Sequence, residues 1–248
     1  MKYVIGIGGV TNGGKTTLTN RLIKSLPNCC VVHQDDFFRK PDHIEVGADG
    51  FRQWDVITAL DMDAMANTIR GWAENPVKFA CSHGVNVSPA TEVADPDQLV
   101  HILIVEGFLL FNYKSLMDVY NKCYYISIPY EECKRRRSTR QYTVPDPPGL
   151  FDGHVWPMYL KHRKEMVKSC LAISVYILIF CLSVSVLEFK LCSYVDILVV
   201  LGSSDLFSGK CPDPCLHSAT AYLDGLKSKE ELYSQVYEDI QNTLLNRL

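Results

Sequence analysis

The sequence predicts an α/β fold, a parallel sheet flanked by helices and built around a phosphate-binding loop, with an arginine-bearing lid. Three observations predict it. Gly9-Val10-Thr11-Asn12-Gly13-Gly14-Lys15-Thr16 matches G-x-x-x-x-G-K-[ST], in which backbone N–H groups wrap a phosphate, the lysine reaches the outer phosphates and the hydroxyl ligates Mg²⁺. That loop lies between a β-branched run at residues 3–7 and a segment at 17–26 with Leu18, Leu22 and Leu26 at helical spacing, the setting the motif needs. Two later buried-strand runs end in carboxylates, Asp35 and Glu106, and ligands of a doubly wound sheet collect at such carboxyl ends.

Composition sets the bounds. The chain has 248 residues, 47% apolar and 21% charged, enough to fold as one large domain or two small ones. A net charge of -3 and a single dense basic run at residues 134–137, too short to track a duplex, argue against a nucleic-acid groove. Met1 leads straight into the first strand with no charged n-region or apolar h-region, so a cytoplasmic location is expected. Of the ten cysteines, Cys170, Cys181, Cys192, Cys211 and Cys215 crowd one segment and the others are scattered, a pattern of free thiols.

After the first helix, stopped by Pro27, a strand at 30–33 delivers Gln34-Asp35-Asp36-Phe37-Phe38, so that Asp35 projects toward phosphates held by Lys15. An exposed connection follows to Trp54-Asp55. From Asp55 the spacing of Ile57, Leu60, Met65, Ile69 and Trp72 predicts a helix, with Asp55 as its N-cap, and residues 74–98 read as a long loop. The strand at 100–105 ends in Glu106, where a carboxylate holds Mg²⁺ directly or through water. A strand at 123–128 leads to a helix at 130–140 carrying Lys134, Arg135, Arg136, Arg137 and Arg140, with only Glu131 and Glu132 nearby to pair them. A solvated basic face is the ordinary reading of such a run. Beside a phosphate loop, a lid whose guanidinium forks close over the γ-phosphate is the better one. A further helix is predicted at 151–166, a short edge strand at 221–223, and an amphipathic helix opened by the capping box Ser228-Lys229-Glu230-Glu231.

Together, residues 9–17, 34–38, Glu106-Gly107-Phe108-Leu109-Leu110-Phe111-Asn112-Tyr113, the lid run 129–140 and Phe151-Asp152-Gly153-His154-Val155-Trp156-Pro157 closely resemble the vertebrate nicotinamide riboside kinases. The resemblance covers residues 1–166 and resumes near 222–225. It implies a P-loop kinase fold of the nucleoside-kinase type and ATP-dependent phosphorylation of the ribose 5′-hydroxyl of nicotinamide riboside to nicotinamide mononucleotide. It further implies that Gly9, Val10, Thr11, Asn12, Gly13, Gly14, Lys15, Thr16 and Thr17 hold the ATP phosphates, and that Asp35 is the catalytic base. Thr16, Asp35 and Glu106 are then the Mg²⁺ side chains. Trp54 and Asp55 match the aromatic-acidic pair that binds the nucleoside, with tyrosine in relatives at the Trp54 position. Arg136, Arg140, Lys227, Ser228 and Lys229 fall on ATP-contacting positions, and Arg137 and Tyr142 on substrate-facing ones. The residues themselves agree: Asp35, Asp36, Asp55 and Glu106 beside Phe37, Phe38 and Trp54 favour a cationic pyridinium, with cation–π attraction of roughly 0.5 to 2 kcal/mol.

Between residues 167 and 218 the family pattern disappears, which divides the chain into a kinase domain (1–166 with 219–248) and an insertion. Residues 169–187 carry no charge, the length of a transmembrane helix. Serines within the run and its place in the middle of a soluble enzyme fold weigh against a membrane anchor. The insertion reads first as a splice-type segment without evolved structure, and second as a buried strand or helix pair added to the domain. Cys211, Cys215 and His217 supply at most three metal ligands. A uridine or cytidine kinase shares loop, base and lid, and a catalytically impaired variant acting through protein or membrane contacts is the reading from another class. A GTPase is disfavoured, because Asn121-Lys122-Cys123-Tyr124 lacks the aspartate of N-K-x-D.

Overall fold

The computed structural model describes residues 1–85, 99–140, 145–168 and 220–246. Five strands, β1 (Lys2–Gly9), β2 (Cys29–His33), β3 (His101–Glu106), β4 (Lys122–Ser127) and β5 (Thr220–Asp224), form a wholly parallel sheet in the order β2-β3-β1-β4-β5. Helices α1 (Lys15–Ser25), α2 (Met62–Glu74), α3 (Pro76–Ser82), α4 (Tyr130–Thr139), α5 (residues 156–168) and α6 (Lys229–Leu245) complete the described part.

The apolar interiors of the strands follow from a sheet covered on both faces. Along β1, Tyr3, Ile5 and Ile7 pack with Leu18 and Leu22 of α1 and Val236 and Ile240 of α6, while Val4 faces Met65, Ile69 and Trp72 of α2. The chain from Thr220 onward is secured twice. β5 pairs with β4 from Cys123 to Ser127, and α6 packs on α1, where Tyr233 donates to Ser25 Oγ at 2.7 Å. α6 opens on the expected capping box: Glu231 N donates to Ser228 Oγ and Ser228 N to Glu231 Oε2.

Register positions the site. Ile7 of β1 and His33 of β2 both pair with Glu106 of β3, so β2 and β3 finish level while β1 runs on to Gly9. The connection leaving β1 runs to β2 on one side and the connection leaving β3 crosses to β4 on the other, so the two diverge and open a crevice at the ends of β1 and β3.

Three expectations need correction. The helix expected from Asp55 begins at Met62 and is capped by Asp61, whose carboxylate accepts from Ala64 N at 3.0 Å. Asp55 is therefore no N-cap. Bonds from Arg39 N to Ala59 O and from Asp61 N to Phe37 O, with a bridge between Phe38 and Leu60, bind the preceding residues to the loop after β2. The loop expected at 74–98 contains α3, where Asn75 accepts from Lys78 N and Pro76 starts the helix; residues 86–98 lie outside the described part. The helix expected from 151 starts as a π-helical turn, Phe151–Val155, a wide turn that suits Pro157 with its missing N–H.

Ile240→Ala, at a fully buried position, is expected to lower unfolding stability by about 2–5 kcal/mol. Asp61→Ala is expected to lower it by about 1 kcal/mol through loss of the cap. Urea denaturation followed by circular dichroism measures both.

Candidate active site

The phosphate loop is shaped by what its backbone must do. Gly9 has φ 132°, and a Cβ there would lie 2.1 Å from Ile126 O, so no side chain fits. Gly14 has φ 105° and turns the chain directly into α1, whose first turn carries no acidic residue. The free N–H groups of that helix end face the loop's interior, the arrangement that attracts anionic phosphate. Lys15 Nζ folds back to donate to Val10 O at 2.9 Å. Burial pushes the Lys15 ammonium down, and the charges of Glu106 and Asp35 oppose that.

Beside the loop stand the two carboxylates at the strand ends. Glu106, almost buried, accepts from Thr16 Oγ1 at 3.2 Å and lies 2.8 Å from His33 Nδ1. Burial pushes its carboxyl up, but the bond to His33, the charge of Lys15 and the Thr16 hydroxyl outweigh this and hold it below the usual range. The bond to Glu106 in turn raises His33. Asp35 opens to the crevice; crowding by the walls pushes its carboxyl up, against Lys15 and with the neighbouring charge of Glu106. Gln34 fixes both strand ends, since its buried side-chain carbonyl accepts from Phe108 N at 3.0 Å and Leu109 N at 2.9 Å. His33 and Gln34 have roles that only the pairing of β2 with β3 brings out.

The basic run divides its labour. Arg136 pairs with Glu132 at 2.6 Å, donates to Gly225 O at 2.8 Å and reaches Asn12 O and Gly13 O of the loop. Arg137 pairs with Asp146, Lys134 with Asp152 at 2.7 Å, and Arg135 with Glu132. Acids from beyond the helix thus pair cations for which the sequence offers only Glu131 and Glu132. Buried Cys133 fastens α4 to the loop by donating from Sγ to Thr11 O at 3.2 Å.

The phosphate loop, the two carboxylates and the lid arginines open on one cavity of about 740 Å³. Asn12, Lys15, Thr16, Thr17, Asp35 and Glu106 line one end; Arg136, Arg137 and Arg140 lie along the lid; Trp54 and Asp55 line the other end. Phe38 meets Trp54 edge-on at 5.5 Å and stacks on Phe108 at 6.0 Å, giving an aromatic wall that includes Phe108, a residue not singled out from the sequence. Asp36 and Phe37 do not line the cavity, nor do Lys227, Ser228 and Lys229: Ser228 caps α6 and Lys227 donates to Gln235. The segment touches the lid through Gly225 instead. Tyr142 lies outside the described residues, as does the insertion beyond Val167 and Lys168. No described helix is long and apolar enough to cross a membrane.

Residues 5–157 match the model of a family described as an AAA domain. Across its length the chain is 50% identical over 247 residues to nicotinamide riboside kinase 2 of Homo sapiens, covering 100% of this chain and 84% of that protein. This chain belongs to the nicotinamide riboside kinase family. Nicotinamide riboside kinase 1 of Homo sapiens is 44% identical over 238 residues, covering 96% and 92%. The nicotinamide riboside kinase of Schizosaccharomyces pombe is 27% identical over 184 residues, covering 66% and 80%. The family gives the loop its ligand, ATP, and makes the chain a nucleoside kinase.

Glu132 anchors the lid. Its carboxyl is held at about 2 by Arg135 and Arg136, so the tie is complete above the ordinary glutamate range and is lost only as pH falls toward that value. Glu132→Gln is expected to raise the KM for ATP about threefold to tenfold at pH 7.5, while the nucleoside KM stays unchanged in steady-state assays.

Proposed function

We propose that this chain transfers the γ-phosphoryl group of ATP to the ribose 5′-hydroxyl of nicotinamide riboside, yielding nicotinamide mononucleotide, and that it works in the cytoplasm. The observation that supports this reading best is the shared cavity: a phosphate loop and an open carboxylate at one end, an aromatic wall with a second carboxylate at the other. Phosphoryl transfer asks mainly for positioning and charge stabilisation, and the ends of this cavity divide those tasks.

In this reading Asp35 accepts the proton of the attacking hydroxyl. Its raised carboxyl makes it a better base than an ordinary aspartate, and its exposure leaves it within reach of a substrate. Lys15, Arg136 and Arg140 face the transferring phosphate. Trp54, Phe38 and Phe108 offer faces and edges to the pyridinium ring, and Asp55 accepts from the ribose hydroxyls. Arg137 lies on the nucleoside side, against Asp146.

Mg²⁺ fits the residues present. Thr16, Asp35 and Glu106 provide a hydroxyl and two carboxylates, a donor set that suits an ion taking one or two carboxylates and completing its shell with phosphate and water. When bound it would neutralise charge on the phosphates. The kinase domain in this proposal comprises residues 1–166 and 219–248, a division supported by the docking of β5 on β4 and α6 on α1.

Purified protein with Mg²⁺ and ATP is expected to phosphorylate nicotinamide riboside in preference to uridine. Asp35→Ala should lower kcat by at least ~100-fold. Trp54→Ala should raise the nucleoside KM about tenfold and leave the KM for ATP unchanged. A chain lacking residues 167–218 should retain turnover. Absence of nicotinamide mononucleotide from the parent reaction refutes the assignment.

A further inference from the structure

His154 stands behind the nucleoside end of the cavity and takes no part in the chemistry described above. Its side chain is 1% exposed, within the π-helical turn that precedes α5. Nδ1 lies 2.7 Å from Asp49 Oδ2. Nε2 is buried, has no hydrogen-bond partner among the described residues, and points at Asp55 Oδ2 from 3.7 Å. A buried polar atom left unpaired is costly, and one aimed at a carboxylate that itself faces a cavity invites a functional explanation. Asp55 lines the cavity; His154 does not, although Val155 beside it does.

We infer that His154 is a positioning residue for nucleoside recognition, orienting the Asp55 carboxylate through an Nε2–H bond that closes when the acceptor's ribose hydroxyls engage the other side of that carboxylate. This rests on the proposed nucleoside-kinase reading of Asp55 and extends it to a residue that never touches substrate. Two carboxylates flank the ring, and since carboxylate oxygens only accept, an Nε2–H aimed at Asp55 gives that nitrogen the partner it lacks. The surroundings are arranged for it. Asp49 is held by Phe51 N at 3.0 Å and Gln53 Nε2 at 3.1 Å, and Phe51 packs against the imidazole at 6.2 Å. The backbone of Asp55 is fixed separately, its carbonyl lying 2.8 Å from His162 Nε2. Arg137 and His162 are the other cationic or titratable groups that favour the Asp55 carboxylate, and Asp146 opposes them. His154 therefore supplies the orienting contact on the buried side.

Two isosteres separate positioning from simple packing. Asparagine can replace Nδ1 and keep the Asp49 bond; glutamine can replace Nε2 and keep the contact to Asp55. His154→Asn is expected to raise the nucleoside KM about tenfold, with the KM for ATP and the melting temperature close to the parent, and His154→Gln to recover most of that loss. In an Asp55→Asn background, His154→Asn should add less than twofold, because the pair acts as a unit. Equal effects of the two isosteres, or an undiminished effect in the Asp55→Asn background, overturns the inference. A second measurement needs no turnover: in the ¹⁵N-histidine spectrum of the full chain, Asp55→Asn should shift the His154 Nε2 resonance and Asp49→Asn the Nδ1 resonance. An Nε2 resonance indifferent to Asp55→Asn overturns the inference, even for a chain that proves inactive on nicotinamide riboside. Inactivity of the parent with the expected spectral response overturns only the kinase reading.

Discussion

Glu106 is the point on which the site depends. It ends β3 level with the end of β2 and beside Ile7 of β1, and one of its oxygens meets both the Thr16 hydroxyl of α1 and the imidazole of His33. The phosphate loop, the base-bearing turn after β2 and the aromatic turn after β3 are thereby held in one geometry. A slip in the pairing of β2 with β3 would separate His33 from Glu106 and move Asp35 away from Lys15. The electrostatics share this dependence. Glu106 raises His33 and Asp35 and opposes the effect of burial on Lys15, so the four groups titrate as neighbours rather than alone.

The lid shows how a basic helix is accommodated without becoming a uniform positive face. Lys134 and Arg137 pair with acids from beyond α4, Asp152 and Asp146, while Arg135 and Arg136 share Glu132 on the helix itself. Exposed pairs of this kind contribute little to stability. What they add here is direction, since a guanidinium fixed on one edge presents its remaining N–H groups at a defined angle. Arg136 is the most constrained, because its donors reach the helix, the phosphate loop and Gly225 together.

Much of the fold was legible in the sequence because its elements are locally specified. The strands were marked by charge-free β-branched runs, α1 by Leu18, Leu22 and Leu26, and α6 by its capping box. The start of α2 was misjudged because Ile57 and Leu60 fit a helical stripe by spacing, whereas backbone bonds to the loop after β2 hold them outside the helix. The same error made Asp55 resemble a cap, a role that belongs to Asp61. In the site, Lys15, Thr16, Asp35 and Glu106 could be named from motif and strand ends, Trp54 and Asp55 only through the family resemblance, and the cavity brings them together. Gln34, Phe108 and His154 were not given their roles, since each acts across elements far apart in the chain. Only the sheet register and the fold of the turn after β2 create those contacts.

The sheet is completed last. β4 ends at Ser127, yet the strand that covers its outer side starts at Thr220, and Arg136 waits for the carbonyl of Gly225. During synthesis the first four strands are made while the backbone donors and acceptors along that side of β4 still face solvent, a surface able to template pairing with another nascent chain. Pairing strands so far apart in the chain is also slow relative to local helix formation. The kinase core therefore passes through a period of sensitivity to self-association, and its length is set by how quickly the last few dozen residues emerge and dock.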